Sequence, residues 1–207
     1  MRLMRVRIRH SLCVISLVSV YAPTEASDLT VKDAFYATLE SVVDQCPRRD
    51  TILGLGDFNA STGTDRDVYE ACVGPHGSGI VNLNSTKFLD FARSHGLMVA
   101  GSWFQRPQAH RWTWYSNAGD VAKEIDHVLV DGRWKMIQNC RVYRSAHFLN
   151  TNHRLVVTTL KFHLKSRRMV PSQPRLDVWK FKDERAAEEF ANKLSGNLGG
   201  SGYIGRS

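Results

Sequence analysis

Apolar and polar positions alternate in two rhythms along this chain. Ser11–Tyr21 is rich in β-branched residues and reads as a strand buried on both faces, stopped by Pro23. Helical spacing follows in Phe35, Leu39, Val42, Val43 and Cys46, with Thr30-x-x-Asp33 in the place of a capping box and Pro47 as the stop. Thr51–Leu55 is a short apolar strand that runs into Gly56-Asp57-Phe58-Asn59. Residues 60–84 carry Gly63, Gly74, Pro75, Gly77 and Gly79 and read as loop. Ser85–His95 predicts a second helix, with Phe88, Leu89, Phe91 and Ala92 inward and Gly96 just past its end. Strands are expected at Leu97–Ala100, Arg111–Tyr115, Glu124–Val130, Cys140–Arg144 and Leu155–Leu164, the last with period-two alternation. The periodicity is lost over residues 166–174, a linker by its Arg and Pro content, before a short helix at Asp183–Leu194 and a glycine-rich end. Helices alternate with strands early and strands follow one another later. That order suits an α/β (α+β) sandwich of packed sheets with outer helices over residues 1–165, followed by a basic linker, helix and tail over residues 166–207.

Composition narrows the classes. With 43% hydrophobic and 23% charged residues, the 207-residue chain can build a core and is not a disordered tail. Its longest apolar stretch, Leu12–Ala22, is interrupted by Ser16 and Ser19 and is too short to span a bilayer, so no membrane partner is expected. The basic first ten residues followed by Leu12–Val20 imitate a secretory leader, yet no small-x-small cleavage pattern follows, and the strand is the better reading. Cys13, Cys46, Cys72 and Cys140 include no CxxC pair and no zinc-finger spacing to His, which suits structural thiols in a reducing, intracellular setting, with the nucleus open as a location. The net charge of +8 is uneven: residues 11–100 are net acidic and residues 101–185 net basic. A polyanion such as DNA and a merely solvated surface both fit that distribution.

Five segments could carry chemistry. Asp57 and Asn59 leave the end of a strand two residues apart, on the same side of an extended backbone. They could hold a metal, accept a proton or donate to phosphate oxygen; an ordinary Asp/Asn turn is the alternative. Asp126 is the only acid in the apolar run Ile125–Val130 and, if half-buried, needs a partner; an acid on an edge strand is the alternative. His153, in Thr151-Asn152-His153-Arg154, stands where a loop enters the last strand, and a pair with Asp126 would fix its tautomer for work on a phosphate; a surface His at a turn is the alternative. Tyr21 in Tyr21-Ala22-Pro23 could bring a hydroxyl to the same sheet edge, or be packed. Arg111-Trp112-Thr113-Trp114-Tyr115 could present a stacking platform for sugars and bases, or be core.

Taken in order, Tyr-Ala-Pro, Gly-Asp-Phe-Asn, Trp-Thr-Trp, Ile-Asp-His and a final His resemble the endonuclease/exonuclease/phosphatase superfamily, the deoxyribonuclease I-like fold. Gly74-Pro75-His76-Gly77-Ser78-Gly79, Asn82-x-Asn84, Ala100–Phe104 and Lys123–His127 are similar to the endonuclease domain of non-LTR retrotransposons and to the craniofacial development protein 2-like proteins. Arg175–Val178 also resembles that group's linker towards a reverse transcriptase. The resemblance implies a four-layer α/β sandwich of two mostly antiparallel sheets and metal-dependent hydrolysis of DNA phosphodiesters, with Mg²⁺ as cofactor. It implies that Asp57 orients or deprotonates water, that Asn59 and Tyr21 hold phosphate oxygens, and that Asp126 pairs with His153 to stabilise charge developing on phosphorus. Asn82, Asn84, Arg111, Trp112, Thr113 and Trp114 fall where substrate contacts are expected. Two departures accompany it. The family's first strands, with an Asn motif and a metal-binding Glu, would precede Met1, and Asn152 stands where the family carries a metal-site Asp. These imply weak metal binding and impaired hydrolysis, an exposed sheet edge open to self-association, and, as the alternative, a catalytically inactive nucleic-acid-binding or protein-interaction remnant.

Overall fold

A computed structural model describes residues 2–10, 13–134, 136–143, 151–162 and 183–198. The chain divides into two units, residues 1–164 and 165–207. Of the second unit the described part is helix α3 (Glu184–Leu198); the linker and the Arg175–Val178 segment lie outside the described residues.

The first unit is built on a five-stranded sheet in the order β1-β2-β3-β7-β4. Its strands are β1 (Leu3–Arg9), β2 (Val14–Tyr21), β3 (Thr51–Asp57), β4 (Leu97–Val99) and β7 (Asp126–Asp131). All neighbours pair antiparallel except β2 with β3. Helix α1 (Leu29–Asp44) supplies the crossover that this one parallel pair requires. Helix α2 (Leu83–Ser94) lies with α1 over the same face of the sheet. Tyr36, Leu39 and Val43 of α1 and Phe88, Leu89 and Ala92 of α2 form a dry core there with Val18, Val20, Val99 and Leu129. On the opposite face, Leu53 and Val130 pack with Met136 and with Cys140, Val156 and Leu160 of a second sheet, β8 (Ile137–Tyr143) and β9 (Leu155–Leu160), Met136 standing just before β8. A small hairpin, β5 (Trp114–Tyr115) and β6 (Ala122–Lys123), stands at the edge near the chain entering β9.

Several expectations shift. Leu3–Arg9 form strand β1, with Met4, Val6 and Ile8 alternating against Arg5, Arg7 and Arg9. Arg7 clamps the buried Asp50 through two bonds of 2.6 and 2.8 Å, and Ser16 donates to the same carboxylate at 2.8 Å. Strand β2 is fully buried on the helix side only, because the second sheet leaves its other face half-covered, and Met4, Val6 and Ile8 are exposed beside it. No capping box forms at Thr30: α1 starts at Leu29 with Asp28 as N-cap and no side-chain cap bond, and Asp33 instead pairs with Lys87 of α2. The cap of α2 is Asn82, whose carboxamide oxygen accepts from the Ser85 amide at 2.9 Å. Gly96 follows the helix with φ +61, as expected. The four cysteines are free thiols. Burial pushes Cys72 up to about 11 and raises Cys140 as well, so neither is a thiolate at neutral pH. Among the described residues, no helix is long and apolar enough to cross a membrane.

Candidate active site at the sheet edge

Strand register builds the site. Tyr21 lies opposite Asp57, and Asp57 lies opposite Asp126, so three side chains stand in a row across β2, β3 and β7. The row depends on Gly56. Its φ is +142, and a Cβ there would sit 1.9 Å from the carbonyl oxygen of Val20. Only glycine lets β3 press this closely on β2 one residue before the carboxylate. After the strand, Phe58 is completely buried and anchors the turn, and Asn59 adopts φ +48, a left-handed conformation that Asn tolerates better than most residues. That bend folds Asn59 back on Asp57. Its amide donates to Oδ1 at 2.8 Å and its carboxamide donates to Oδ2 at 3.3 Å and to the carbonyl of Ala22 at 3.0 Å.

His153 arrives from the far end of the chain. A single antiparallel bridge joins it to Trp114 of β5. The Tyr115 amide donates to the carbonyl of Asn152 at 3.1 Å, and the Arg154 amide donates to that of Thr113 at 2.7 Å. Thus the aromatic segment holds the His153 backbone in place. The His153 ring directs Nδ1 at Asp126, 3.0 Å from Oδ2 and 3.2 Å from Oδ1. A carboxylate at that distance keeps the proton on Nδ1 and leaves Nε2 to exchange a proton or a hydrogen bond with a substrate oxygen. Asp57, Asp126 and His153 bring one ligand atom each within 4.8 Å of one another. Burial, reinforced by the charge of Asp126, raises the Asp57 carboxyl above its ordinary value, while the Asn59 amide opposes the shift. Such a carboxylate is a better proton acceptor than an exposed one. The donor set suits a hard divalent cation, which takes one or two carboxylates and keeps several waters.

Other residues singled out in the sequence sit around this cluster in different ways. Tyr21 is 46% exposed with the Arg2 guanidinium 4.4 Å over its ring, and its hydroxyl makes no hydrogen bond among the described residues. Thr113 is buried, and its Oγ1 accepts from the amides of both Ile125 and Asp126 at 3.0 Å, fixing the start of β7. Asn84 is buried and donates to the carbonyls of Pro23 and Asn59 at 2.9 and 3.0 Å, tying two rim loops together. Arg111 pairs with Glu124 at 3.0 Å and donates to the carbonyl of Gly77 at 3.2 Å. Trp112 packs edge-on against Tyr115, and both Trp112 and Trp114 are partly exposed near the site. The Asn152 side chain makes no hydrogen bond among the described residues. Sequence reasoning gave no role to Glu124 and Ser78, which complete the Arg111 network; their spacing carries no pattern, although a Glu at the head of the apolar run that holds Asp126 was a clue.

Comparison with known proteins gives the class first. The chain has the fold of the endonuclease/exonuclease/phosphatase superfamily. It superposes on the 3′ phosphatase NExo from Neisseria, solved with a product DNA hairpin, with a TM-score of 0.59 and 17% identity, covering 78% of this chain and 65% of that one. The endonuclease domain of TRAS1, a telomere-specific non-LTR retrotransposon, gives 0.55 at 15% identity over 78% of this chain and 62% of that one. An AP endonuclease from Archaeoglobus fulgidus gives 0.55 at 13% identity over 77% and 65%. By sequence, the chain is similar to Craniofacial development protein 2 of Tragulus javanicus, 25% identical over 73% of this chain and 26% of that protein. It is also similar to Craniofacial development protein 2 of Bos taurus, 24% identical over 95% and 32%. The chain therefore spans about a quarter to a third of the length of these curated relatives. No family model matches. The resemblance read from the sequence is borne out in both the fold and the relatives.

Proposed function

We propose that this chain is a nuclease-type phosphodiester-hydrolase domain of non-LTR retrotransposon origin that acts on DNA, with a weak Mg²⁺ site and correspondingly slow hydrolysis. The observation that carries the reading is the convergence of Asp57, Asp126 and His153 on one sheet edge, in a fold shared with proteins named as an endonuclease domain and a DNA-bound phosphatase. A phosphodiester gains charge on its non-bridging oxygens as water attacks, so the site needs a proton acceptor and donors aimed at those oxygens. Asp57 takes the water proton as the new P–O bond forms; the P–O bond to the departing sugar oxygen breaks, and that oxygen takes its proton from solvent water. Nε2 of His153 faces the phosphoryl oxygens while Asp126 holds its ring, and Tyr21 and the partly exposed tryptophans meet the strand. Asp57 and Asp126 would hold the cation, which supplies charge neutralisation at phosphorus. Two carboxylates without the acid that the family carries at the Asn152 position suit weak affinity for the cation.

The test is nicking of supercoiled plasmid with Mg²⁺ by the wild-type chain, Asp57→Ala and His153→Ala. Slow wild-type nicking that both variants lose supports the reading; equal cleavage by all three refutes it. The neutral carboxamide at Asn152 favours one alternative, a catalytically inactive DNA-binding remnant. DNA binding without wild-type nicking, unchanged in Asn152→Asp, selects that alternative. Tight Mg²⁺ binding by calorimetry contradicts the weak site.

A further inference from the structure

A cleft of about 260 Å³ lies beside the site, lined by Arg106, Pro107, His110 and Arg141. Two elements make it. Pro107 opens the tight helical turn Gln108–His110, and Arg141 stands on β8 between Asn139 and Tyr143 on the same outward face. Three cationic or cationisable groups thus converge with no acid in the lining. Among the described residues, none of the three has a carboxylate within ion-pair distance; the nearby Glu124 is already taken by Arg111. Each arginine is held in place without being neutralised. Arg106 donates to the carboxamide oxygen of Asn139, and its Nε is buried with no partner. Arg141 stacks 4.3 Å over the Tyr143 ring. Gathering two guanidiniums on one lining costs repulsion that an anion relieves, and a planar fork matches phosphate oxygens well. The cleft also adjoins the catalytic row: Arg106, His110 and Arg141 line, together with Asp126, a small cavity of about 20 Å³.

We propose that this cleft holds a backbone phosphate of the DNA strand, flanking the phosphodiester presented to Asp57, Asp126 and His153. The inference rests on the proposed function and adds that the substrate is a strand with at least two internucleotide phosphates rather than a lone diester.

The test is fluorescence anisotropy of a labelled duplex oligonucleotide on the full chain in EDTA, across a KCl series, so that binding is read apart from cleavage. Arg141→Gln and His110→Gln, both at exposed positions, accompany Arg106→Gln, and Arg93→Gln on α2 serves as control. Loss of one phosphate contact should reduce the slope of log K against log salt by about 0.9. The Arg106→Gln/Arg141→Gln pair should also weaken binding roughly tenfold, the scale of a charge-assisted hydrogen bond, with Arg93→Gln unchanged. An unchanged slope in Arg141→Gln and in the pair overturns the proposal, as does a wild-type chain without salt-dependent binding. Inorganic phosphate competing as well as the oligonucleotide, mole for mole, also overturns it, because the cleft is then a site for free anions. Asp57→Ala separates the two readings: it removes nicking if the hydrolase reading holds, yet it should keep the wild-type slope whether or not that reading survives.

Discussion

Thr113 offers the sharpest check on how the site is held. Its hydroxyl oxygen accepts two amide hydrogens, from Ile125 and Asp126, each at 3.0 Å, and the residue is 1% exposed. Thr113→Val keeps the shape and removes the acceptor. Both amides then lose their partner where little water can enter. A buried donor left unsatisfied costs about 1–3 kcal/mol; the Ile125 amide is fully buried and the Asp126 amide partly so, which gives a combined loss of about 2–4 kcal/mol. Thr113→Ser keeps the acceptor and loses one methyl group, about 1 kcal/mol. Urea unfolding of the three chains measures these differences, and native-state hydrogen exchange locates them. Protection at the Ile125 and Asp126 amides should fall in the Val variant well beyond that of helix α2. If Thr113→Val is no less stable than Thr113→Ser, within about 0.5 kcal/mol, the hydroxyl does not hold the start of β7 and the account of how Asp126 is positioned fails.

Gly56→Ala should abolish the cooperative melt followed by circular dichroism, because the new Cβ lands 1.9 Å from the Val20 carbonyl oxygen at φ +142; a melt within a few degrees of wild type refutes the close approach. Asp57 has its folded value raised by burial and then by Asp126, so the fold is more stable when this group is protonated, and that contribution is lost as pH rises through the folded value. Asp126→Asn should therefore lower the Asp57 titration midpoint read by carboxyl NMR, and an upward move refutes the coupling. Asp50 is shifted the other way, chiefly by the hydrogen bonds from Arg7, so its stabilisation is present above the ordinary carboxylate value and is lost as pH falls through the lowered folded value. Arg7→Met should move acid unfolding to higher pH, and an unchanged acid midpoint would show that β1 is not clamped through Asp50.

Much of the fold was legible because its strands and helices carry their own periodicity. Val14–Tyr21, Thr51–Asp57 and Leu83–Ser94 fall close to the expected spans, since each buries one continuous face. Strand β1 was overlooked for a physical reason. Four arginines among the first ten residues imitate a cationic leader and mask the alternation, whereas in the fold Arg5, Arg7 and Arg9 lie on the helix-bearing face of a period-two edge strand, where Arg7 clamps Asp50 and Arg5 reaches the carbonyl of Val42. The Thr30 cap failed because capping depends on where the chain turns, and Pro23 and the following loop place that turn at Asp28. The pairing of Asp126 with His153 was legible as a need, since an acid in an apolar run requires a partner. The register that sets Asp57 opposite Asp126 was not, because pairing between distant strands leaves no mark on either one alone.

The polar residues around the row show why ligand-contacting side chains are harder to read from a sequence than the members of the row itself. A side chain that grips a ligand and one that satisfies a buried backbone group look alike in a sequence: both are Asn, Thr or Arg at places where apolar residues would pack. Asn82 caps a helix, Asn84 ties the carbonyls of Pro23 and Asn59, Thr113 receives the amides that open β7, and Arg111 neutralises Glu124. Apart from Asn84 Oδ1 and Arg111 Nε, which are buried without a partner, their side-chain bonds are made inside the protein, so truncating them should disturb stability and alignment more than affinity for a strand. Arg106 and Arg141 differ in having no carboxylate within ion-pair distance among the described residues, Arg106 bonding a neutral carboxamide and Arg141 stacking on Tyr143, and Trp112 and Trp114 stay partly exposed. On the proposed reading, cationic and aromatic surface without an internal ion pair beside the row of Asp57, Asp126 and His153, rather than residue type, is the property that marks where a strand would lie.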